Sequence, residues 1–309
     1  MSCGFVFPGQ GSQAVGMLRD FIDEPVVKNC FDTADAAIGI GVRKLVLDGP
    51  EAELNRTELT QPALLTASVA VWRLWQDRGG APATVLAGHS LGEYSALVAA
   101  DAIDFADAVR LVHLRGRLMQ SAVPVGTGAM AAILGLEEVD VAKCCAAVEG
   151  IVTPANINAP GQIVIAGAAA AVDAAIERCS AAGAKRAIKL AVSVPSHCPL
   201  MAPIAAEFSA ALEATRVVTP RIPVVQNVDA ESTDAPDRIR KNLVAQLSSA
   251  VRWTQCVEAM VRRGATTLFE CGPGNVLAAL IKRIDRSVKV HTIGARPAFD
   301  SALAEVGRG

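Results

Sequence analysis

The sequence predicts an α/β fold: a hydrolase-like, mostly parallel sheet core with an inserted ferredoxin-like small subdomain. Three observations carry that prediction. First, the apolar run Val85-Leu86-Ala87 feeds Gly88-His89-Ser90-Leu91-Gly92 and then a helix-prone segment through Ala100, the strand–turn–helix order of a nucleophile elbow. Second, short apolar strands alternate with helical patterns in the outer parts of the chain, which implies a parallel sheet covered on both faces. Third, residues 125–194 read as strand, helix, strand, strand, helix, strand, the ferredoxin-like order. The core is therefore assigned to 1–124 and 195–309, and the insert to 125–194.

Composition narrows the function classes. Hydrophobic residues make up 51% of the 309 and charged residues 19%, which suits a large buried core rather than disorder. With 29 Lys and Arg against 31 Asp and Glu, the net charge of −2 argues against a nucleic-acid partner. The eight cysteines form no C-x-x-C pair and no zinc spacing with the four histidines, so no metal site is expected. They read as reduced thiols, and a cytoplasmic location follows. The N-terminus has no basic segment followed by an apolar one, as a signal peptide would. No uncharged apolar run reaches the roughly 18 residues that a membrane helix needs.

Taken in order, Gly4–Phe7 is a short strand running into Pro8-Gly9-Gln10-Gly11-Ser12-Gln13. No Gly-Lys-Ser/Thr follows, and Ala14 breaks the G-x-G-x-x-G spacing, so this is not a phosphate loop. Either its backbone approaches a ligand and offers an N–H near Gln10, or it is an ordinary surface turn. Residues 24–55 are helix and loop with a break at Asp48-Gly49-Pro50. Thr60-Gln61-Pro62 opens an apolar, hence buried, helix from Ala63 to about Gln76. At the elbow, glycines flank the tight turn because side chains there would collide with neighbouring backbone. Isolated matches to this pattern arise by chance, but the flanking strand and helix favour Ser90 as a nucleophile, set over a helix N-terminus that favours an oxyanion.

Phe105 to about Ser121 is a helix whose apolar stripe runs through Ala108, Leu111, Val112, Leu118 and Met119. Arg115 lies on that stripe. A buried cation needs an anion, so Arg115 either pairs with a buried Asp or Glu or binds an anionic ligand. In the insert, strands are expected at 130–134, 151–157, 162–166 and 185–194, and helices at 137–148 and 169–182. The turn 156–161 joins the middle strands, with polar tips that face a cleft. Of the four histidines, His89 adjoins Ser90 and should point elsewhere, His113 is on a helix flank and His291 in a late strand. His197, on a loop between Pro195 and Pro199, has the rigid mount of a base, although a loop histidine is commonly just solvated. Beyond it, helices are expected at 203–214, 253–263 and up to Ile284, with strands at 222–225, 267–270 and 289–293.

Together these motifs resemble the fatty-acid-synthesis type of acyltransferase, the malonyl-CoA:acyl carrier protein transacylases. The resemblance rests on FVFPGQGSQ at 5–13, TQPAL at 60–64, GHSLGEYSAL at 88–97, RGRLMQ at 115–120 and GTGAMAAI at 126–133. It continues through NINAPGQIVIAG at 156–167, SVPSHCPLM at 193–201 and FECGPGNVL at 269–277. It implies Ser90 as nucleophile, His197 as base and Gln246 as the support of the histidine through a backbone carbonyl, without a catalytic Asp. It also implies an oxyanion hole from the N–H groups of Gln10 and Leu91, with Arg115 binding the malonyl carboxylate. Gln61, Asn158 and Met119 would line the acyl pocket. The implied substrate is malonyl-CoA, with no permanently bound cofactor, and the implied partner is an acyl carrier protein. For that acidic partner, Lys185, Arg186, Lys189 and Lys282, Arg283, Arg286 are the candidate docking patches, against the plainer reading of solvated faces. A monomer without membrane or nucleic-acid contacts is expected. The rivals are the transacylase subunit of a malonate decarboxylase, a serine hydrolase or thioesterase, and a catalytically dead docking module.

Overall fold

The computed structural model describes residues 2–124, 126–190 and 194–306. The chain begins with β1 (Cys3–Phe7), α1 (Pro25–Ile38), α2 (Val42–Asp48), α3 (Glu51–Leu54), α4 (Thr57–Asp77), β2 (Ala83–Gly88), α5 (Gly92–Ala99) and α6 (Phe105–Ser121). The insert follows as β3 (Gly128–Leu134), α7 (Glu138–Ala146), β4 (Val152–Ala159), β5 (Gln162–Ala168), α8 (Ala169–Ala181) and β6 (Arg186–Lys189). The rest is α9 (Ala205–Ala214), β7 (Val224–Val225), α10 (Pro236–Ala245), α11 (Trp253–Arg262), β8 (Thr267–Glu270), α12 (Val276–Ile284), β9 (Lys289–Thr292) and α13 (Arg296–Val306).

The core sheet has the order β7-β2-β1-β8-β9, and every pairing in it is parallel. Side chains alternate across a strand, so one register divides them between two layers. Phe5, Phe7, Leu86 and Phe269 enter the layer with α1, α4 and α6, where Phe5 meets Phe269 and Trp72 at 4.9 Å each. Val6, Val85, Ala87 and Leu268 face the opposite layer, with Trp253, Val257 and Met260 of α11 and Leu277 and Ile281 of α12. The insert is a four-stranded antiparallel sheet in the order β4-β5-β3-β6. Ala129, Ala131 and Ile133 of β3 pack under α7 and α8, while Met130, with Val164 and Ala166 of β5, faces the other way, toward Cys198. No helix among the described residues is long and apolar enough to cross a membrane.

Several expected boundaries are corrected. The helix expected from Ala63 begins at Thr57, which puts Pro62 inside it. Pro62 has no N–H for the Glu58 carbonyl one turn earlier, and His113 of α6 supplies the donor instead, Nδ1–H to O at 3.0 Å. Asn156 and Asn158, expected in a turn, lie in β4, because two register irregularities let that strand run on to Ala159, opposite Gln162. The strand expected over 185–194 covers only Arg186–Lys189. Residues 191–193 of that stretch, the 125 boundary of the insert and 307–309 of the core lie outside the described residues. The helix expected from Pro203 is a 3-10 turn, Pro199–Ile204, followed by α9. The helices α10 and α13 were not anticipated.

Two contacts fix where the insert and α6 sit. Val251 of the core bridges β4, its N–H donating to Ala155 O and its carbonyl accepting from Ile157 N, both at 2.9 Å. Gly116 of α6 packs on the first turn of α4, where a Cβ would stand 2.6 Å from Glu58 Cα and 2.7 Å from Thr57 O. That approach sets Arg115 against Gln61. Gly116→Ala is expected to destabilise the fold by about 1–3 kcal/mol through overpacking, read as a lower midpoint in urea unfolding at unchanged slope. An unchanged midpoint would show that the two helices can separate freely.

Candidate active site

The site forms where the carboxyl ends of β1 and β2 meet, as ligand sites do in open parallel sheets. At the end of β2 the chain folds back so tightly that Ser90 adopts a left-handed φ of +52°. A Cβ on Gly88 would lie 1.9 Å from the Gly92 carbonyl carbon, and one on Gly92 would lie 2.0 Å from Phe7 O. Only glycine fits either position. Gly9 extends the requirement to the loop after β1, since a Cβ there would stand 2.5 Å from His89 O. That loop brings Gln10 beside the elbow. Among the described residues, neither the Gln10 N–H nor the Leu91 N–H has a protein acceptor.

Ser90 Oγ lies 2.7 Å from His197 Nε2. His197 is also left-handed, at φ +62°, and is 3% exposed. Two carbonyls hold it in that conformation: Leu247 O accepts its backbone N–H at 3.1 Å, and Gln246 O accepts Nδ1–H at 2.7 Å. With Nδ1 protonated, Nε2 is the bare nitrogen and accepts a hydrogen bond from the Ser90 hydroxyl. Burial, and then the nearby Arg115 cation, push the His197 pKa down to about 3. The imidazole is therefore neutral at pH 7. No carboxylate takes part in this pair.

Arg115 is 1% exposed. It makes no ion pair with a carboxylate among the described residues, which removes the structural salt bridge that its position on the stripe left open. Nη1 donates to Gln61 Oε1 at 2.9 Å, and Nη2 donates to Gln246 Oε1 at 3.0 Å and Ser90 Oγ at 3.3 Å. Nε–H is buried without a hydrogen-bond partner among the described residues, and the guanidinium lies over the Tyr94 ring at 5.4 Å. Gln61 is itself held by Nε2–H donating to Met119 Sδ at 3.6 Å.

A cavity of about 140 Å³ opens between these groups, bounded by Gln10, Gln61, Ser90, Leu91, Arg115, Met119 and His197. The insert closes it with Met130, Asn156, Val164 and Leu190. One placement differs from expectation. Asn158 does not reach the cavity, because its Oδ1 accepts Nε2–H of His89 at 2.8 Å, so Asn156 forms the wall instead. The His89 ring, expected to point away from Ser90, turns to Asn158 and rests on Trp253 with ring centres 5.5 Å apart, although the residue also borders the cavity. Gln246 stands behind the wall, fully buried.

Sequence reasoning missed the supports. Asn227, at 0% exposure, accepts the Ser90 N–H on Oδ1 and donates from Nδ2 to Gly88 O, both at 2.7 Å, which fastens both sides of the elbow. Glu93, 1% exposed, accepts from Asn227 N and Gln246 Nε2 at 2.9 Å each. Burial pushes its carboxyl up to about 7, against the pull of those donors. The available signals were weak: a Gln-Asn pair after a strand and an acid in the elbow helix. Of the basic residues, Lys185, Arg186 and Arg283 line one surface cavity of about 510 Å³ at the seam of insert and core, with Lys282 and Arg286 outside it. Lys189 is paired with Asp173 at 2.7 Å.

Residues 4–297 match the acyl transferase domain family. The chain is 53% identical over 302 residues to the malonyl CoA-acyl carrier protein transacylase of Escherichia coli K12, covering 97% of this chain and 98% of that one. It is 42% identical over 303 residues to the enzyme of that name from Bacillus subtilis, covering 97% and 95%. Among solved structures, an acyl carrier protein S-malonyltransferase from Vibrio cholerae superposes with a TM-score of 0.95 at 52% identity, covering 97% of this chain and 99% of that one. A malonyl-transacylase solved in complex with its type II PKS acyl-carrier protein gives 0.97 at 50%, covering 99% and 100%.

The depressed pKa of His197 has a sign that can be checked. Below pH 6.5 the unfolded chain takes up a proton that the folded imidazole refuses, so this group's contribution to stability is present above 6.5 and lost as pH falls toward 3. Glu93 acts oppositely, gaining its proton first in the folded state as pH falls through about 7, and partly offsets the loss. The ¹⁵N spectrum of the His197 ring is expected to remain that of the neutral Nδ1–H tautomer from pH 8 to pH 5. A titration midpoint near 6.5 would contradict it.

Proposed function

The chain belongs to the acyl transferase family, and from that premise we propose that it moves a malonyl group from malonyl-CoA to the phosphopantetheine thiol of an acyl carrier protein. The observation that carries this reading is Arg115, a buried cation with only neutral acceptors, standing 3.3 Å from the Ser90 hydroxyl. A malonyl carboxylate is one methylene beyond the carbonyl that Ser90 would attack, so an arginine within reach of Ser90 can hold it. An acetyl group offers that cation nothing.

Ser90 is the nucleophile in this reading. Its proton passes to Nε2 of His197 as Oγ bonds to the thioester carbon, and the carbonyl oxygen becomes an oxyanion in reach of the Gln10 and Leu91 N–H groups. Collapse breaks the C–S bond, and the imidazolium returns the proton to the departing CoA thiol. The carrier thiol then repeats these steps on the malonyl-serine, giving ping-pong kinetics. A base held far below its usual pKa is free at neutral pH and gives its proton back readily. The support for these roles is the spacing of Ser90, His197 and Gln246 and the two free N–H groups. We read 125–194 as the subdomain that roofs the acyl pocket. The eight unpaired cysteines suit a reducing cytoplasm. The relatives named above favour transfer over hydrolysis.

Replacing the cation tests the assignment. Arg115→Ala is expected to lower kcat/KM for malonyl-CoA by about 10²-fold, the loss of one charge-assisted contact, and to raise acylation by acetyl-CoA. The malonyl-to-acetyl ratio would be read from malonyl- or acetyl-Ser90 formed in single-turnover mass spectrometry. An unchanged ratio would sink the role of Arg115.

For the carrier, we infer that it docks at the seam cavity, where Lys185, Arg186 and Arg283 present exposed positive charge. Reversing two of those charges, Lys185→Glu with Arg283→Glu, is expected to raise KM for the carrier several-fold at low salt and less at high salt. Malonylation of Ser90 by malonyl-CoA alone should keep its wild-type rate. A carrier KM unaffected by the reversal would place the docking surface elsewhere.

A further inference from the structure

Glu93 takes no part in the transfer steps above, yet it is sealed behind them in the first turn of α5, three residues from Ser90. Its partners are neutral amides. Oε2 accepts the Asn227 N–H and Gln246 Nε2–H at 2.9 Å each, and Oε1 accepts Gln226 Nε2–H at 3.2 Å. A buried carboxylate is expensive to keep, and a hydrophobic residue of similar size is frequently no less stable in such a place. A structural account of Glu93 therefore explains little.

The geometry around Gln246 supplies another. A carboxamide shows an oxygen on one side and an NH₂ on the other, and its partners decide which way round it sits. Gln246 turns Nε2 toward three acceptors: Glu93 Oε2, Ser90 O at 3.2 Å and Asn227 Oδ1 at 3.3 Å. Glu93 is the shortest and the only one able to bear charge. With Nε2 so engaged, Oε1 faces Arg115 Nη2 at 3.0 Å. Rotated by half a turn, the same amide would press N–H donors against a guanidinium that can only donate. The backbone carbonyl of the same residue carries the His197 Nδ1–H, so Gln246 joins the arginine to the dyad.

We propose that Glu93 is a positioning residue: it fixes the orientation of the Gln246 carboxamide and thereby aims Arg115 at the carboxylate of the incoming acyl group. This rests on the reading that Arg115 binds that carboxylate. Glu93 also reaches the elbow through Asn227, but that path bears on every acyl group alike, whereas the path through Gln246 and Arg115 bears only on acyl groups with a carboxylate. The two are separable by substrate.

The test compares kcat/KM for Ser90 acylation by malonyl-CoA and by acetyl-CoA in the full-length enzyme. Glu93→Gln keeps the shape but sets an amide against an amide, and Glu93→Asp keeps the charge but draws it back from Gln246. Both are expected to lower the malonyl-to-acetyl ratio about tenfold or more, the equivalent of losing one hydrogen bond to a charged group. In a Gln246→Met background, Glu93→Gln should lower the ratio no further, since the relay is already cut. Arg115→Ala run alongside separates two failures. If it leaves the ratio unchanged, the reading of Arg115 is at fault. If it collapses the ratio while folded Glu93 variants keep theirs within about twofold, or if the Glu93 and Gln246 effects simply add, the positioning role is overturned. Failure of both Glu93 variants to fold would assign the residue to structure and overturn the proposal equally.

Discussion

A guanidinium shut away from water with no carboxylate beside it is the constraint on which the rest of this site depends. Left alone it would be among the costliest groups in the molecule. The fold meets that cost with neutral oxygen acceptors from Gln61 and Gln246, the face of Tyr94, and a carboxylate one residue removed. The same charge helps keep the adjacent imidazole unprotonated, second only to burial itself. The arginine thus acts on the charge state of His197 while standing beside the Ser90 hydroxyl.

The two helices that carry this arrangement show how it is held in place. Pro62 and Gly116 each remove something from a helix, an N–H in one case and a side chain in the other. Both losses serve one contact: the vacated space lets α6 come down on α4, and the freed carbonyl of Glu58 accepts a hydrogen bond from His113 of α6. Arg115, beside Gly116, is thereby brought to Gln61, beside Pro62. Two residues usually read as helix breakers act here as a docking point.

What could be read from the sequence follows from how local each feature is. The elbow, the strand at 267–270 and the helix from Phe105 to Ser121 were legible because spacing within a few residues determines them. Arg115 stood out because its neighbours on the stripe are apolar. Glu93 did not, since an acid in the first turn of a helix is ordinary where the dipole favours it, and nothing nearby shows that it is buried. Asn227 acts on Ser90 from 137 residues away, and Gln246 on Glu93 from 153, so only the assembled sheet brings them together. Asn156 and not Asn158 borders the cavity, in a strand whose register is irregular on either side of Asn156 and Ile157. Such irregularities leave no mark in an alternating pattern.

The segment from Gln246 to Arg252 touches the site and the insert in turn. Gln246 and Leu247 carry the histidine, the Gln246 side chain carries the arginine, Val251 is stitched to β4 of the insert, and the Arg252 N–H donates to Asn227 O at 3.0 Å. The insert sheet and the His197 imidazole are therefore anchored to the same seven residues of backbone. Any displacement of β4 against the core would load the stretch of backbone that also carries the imidazole.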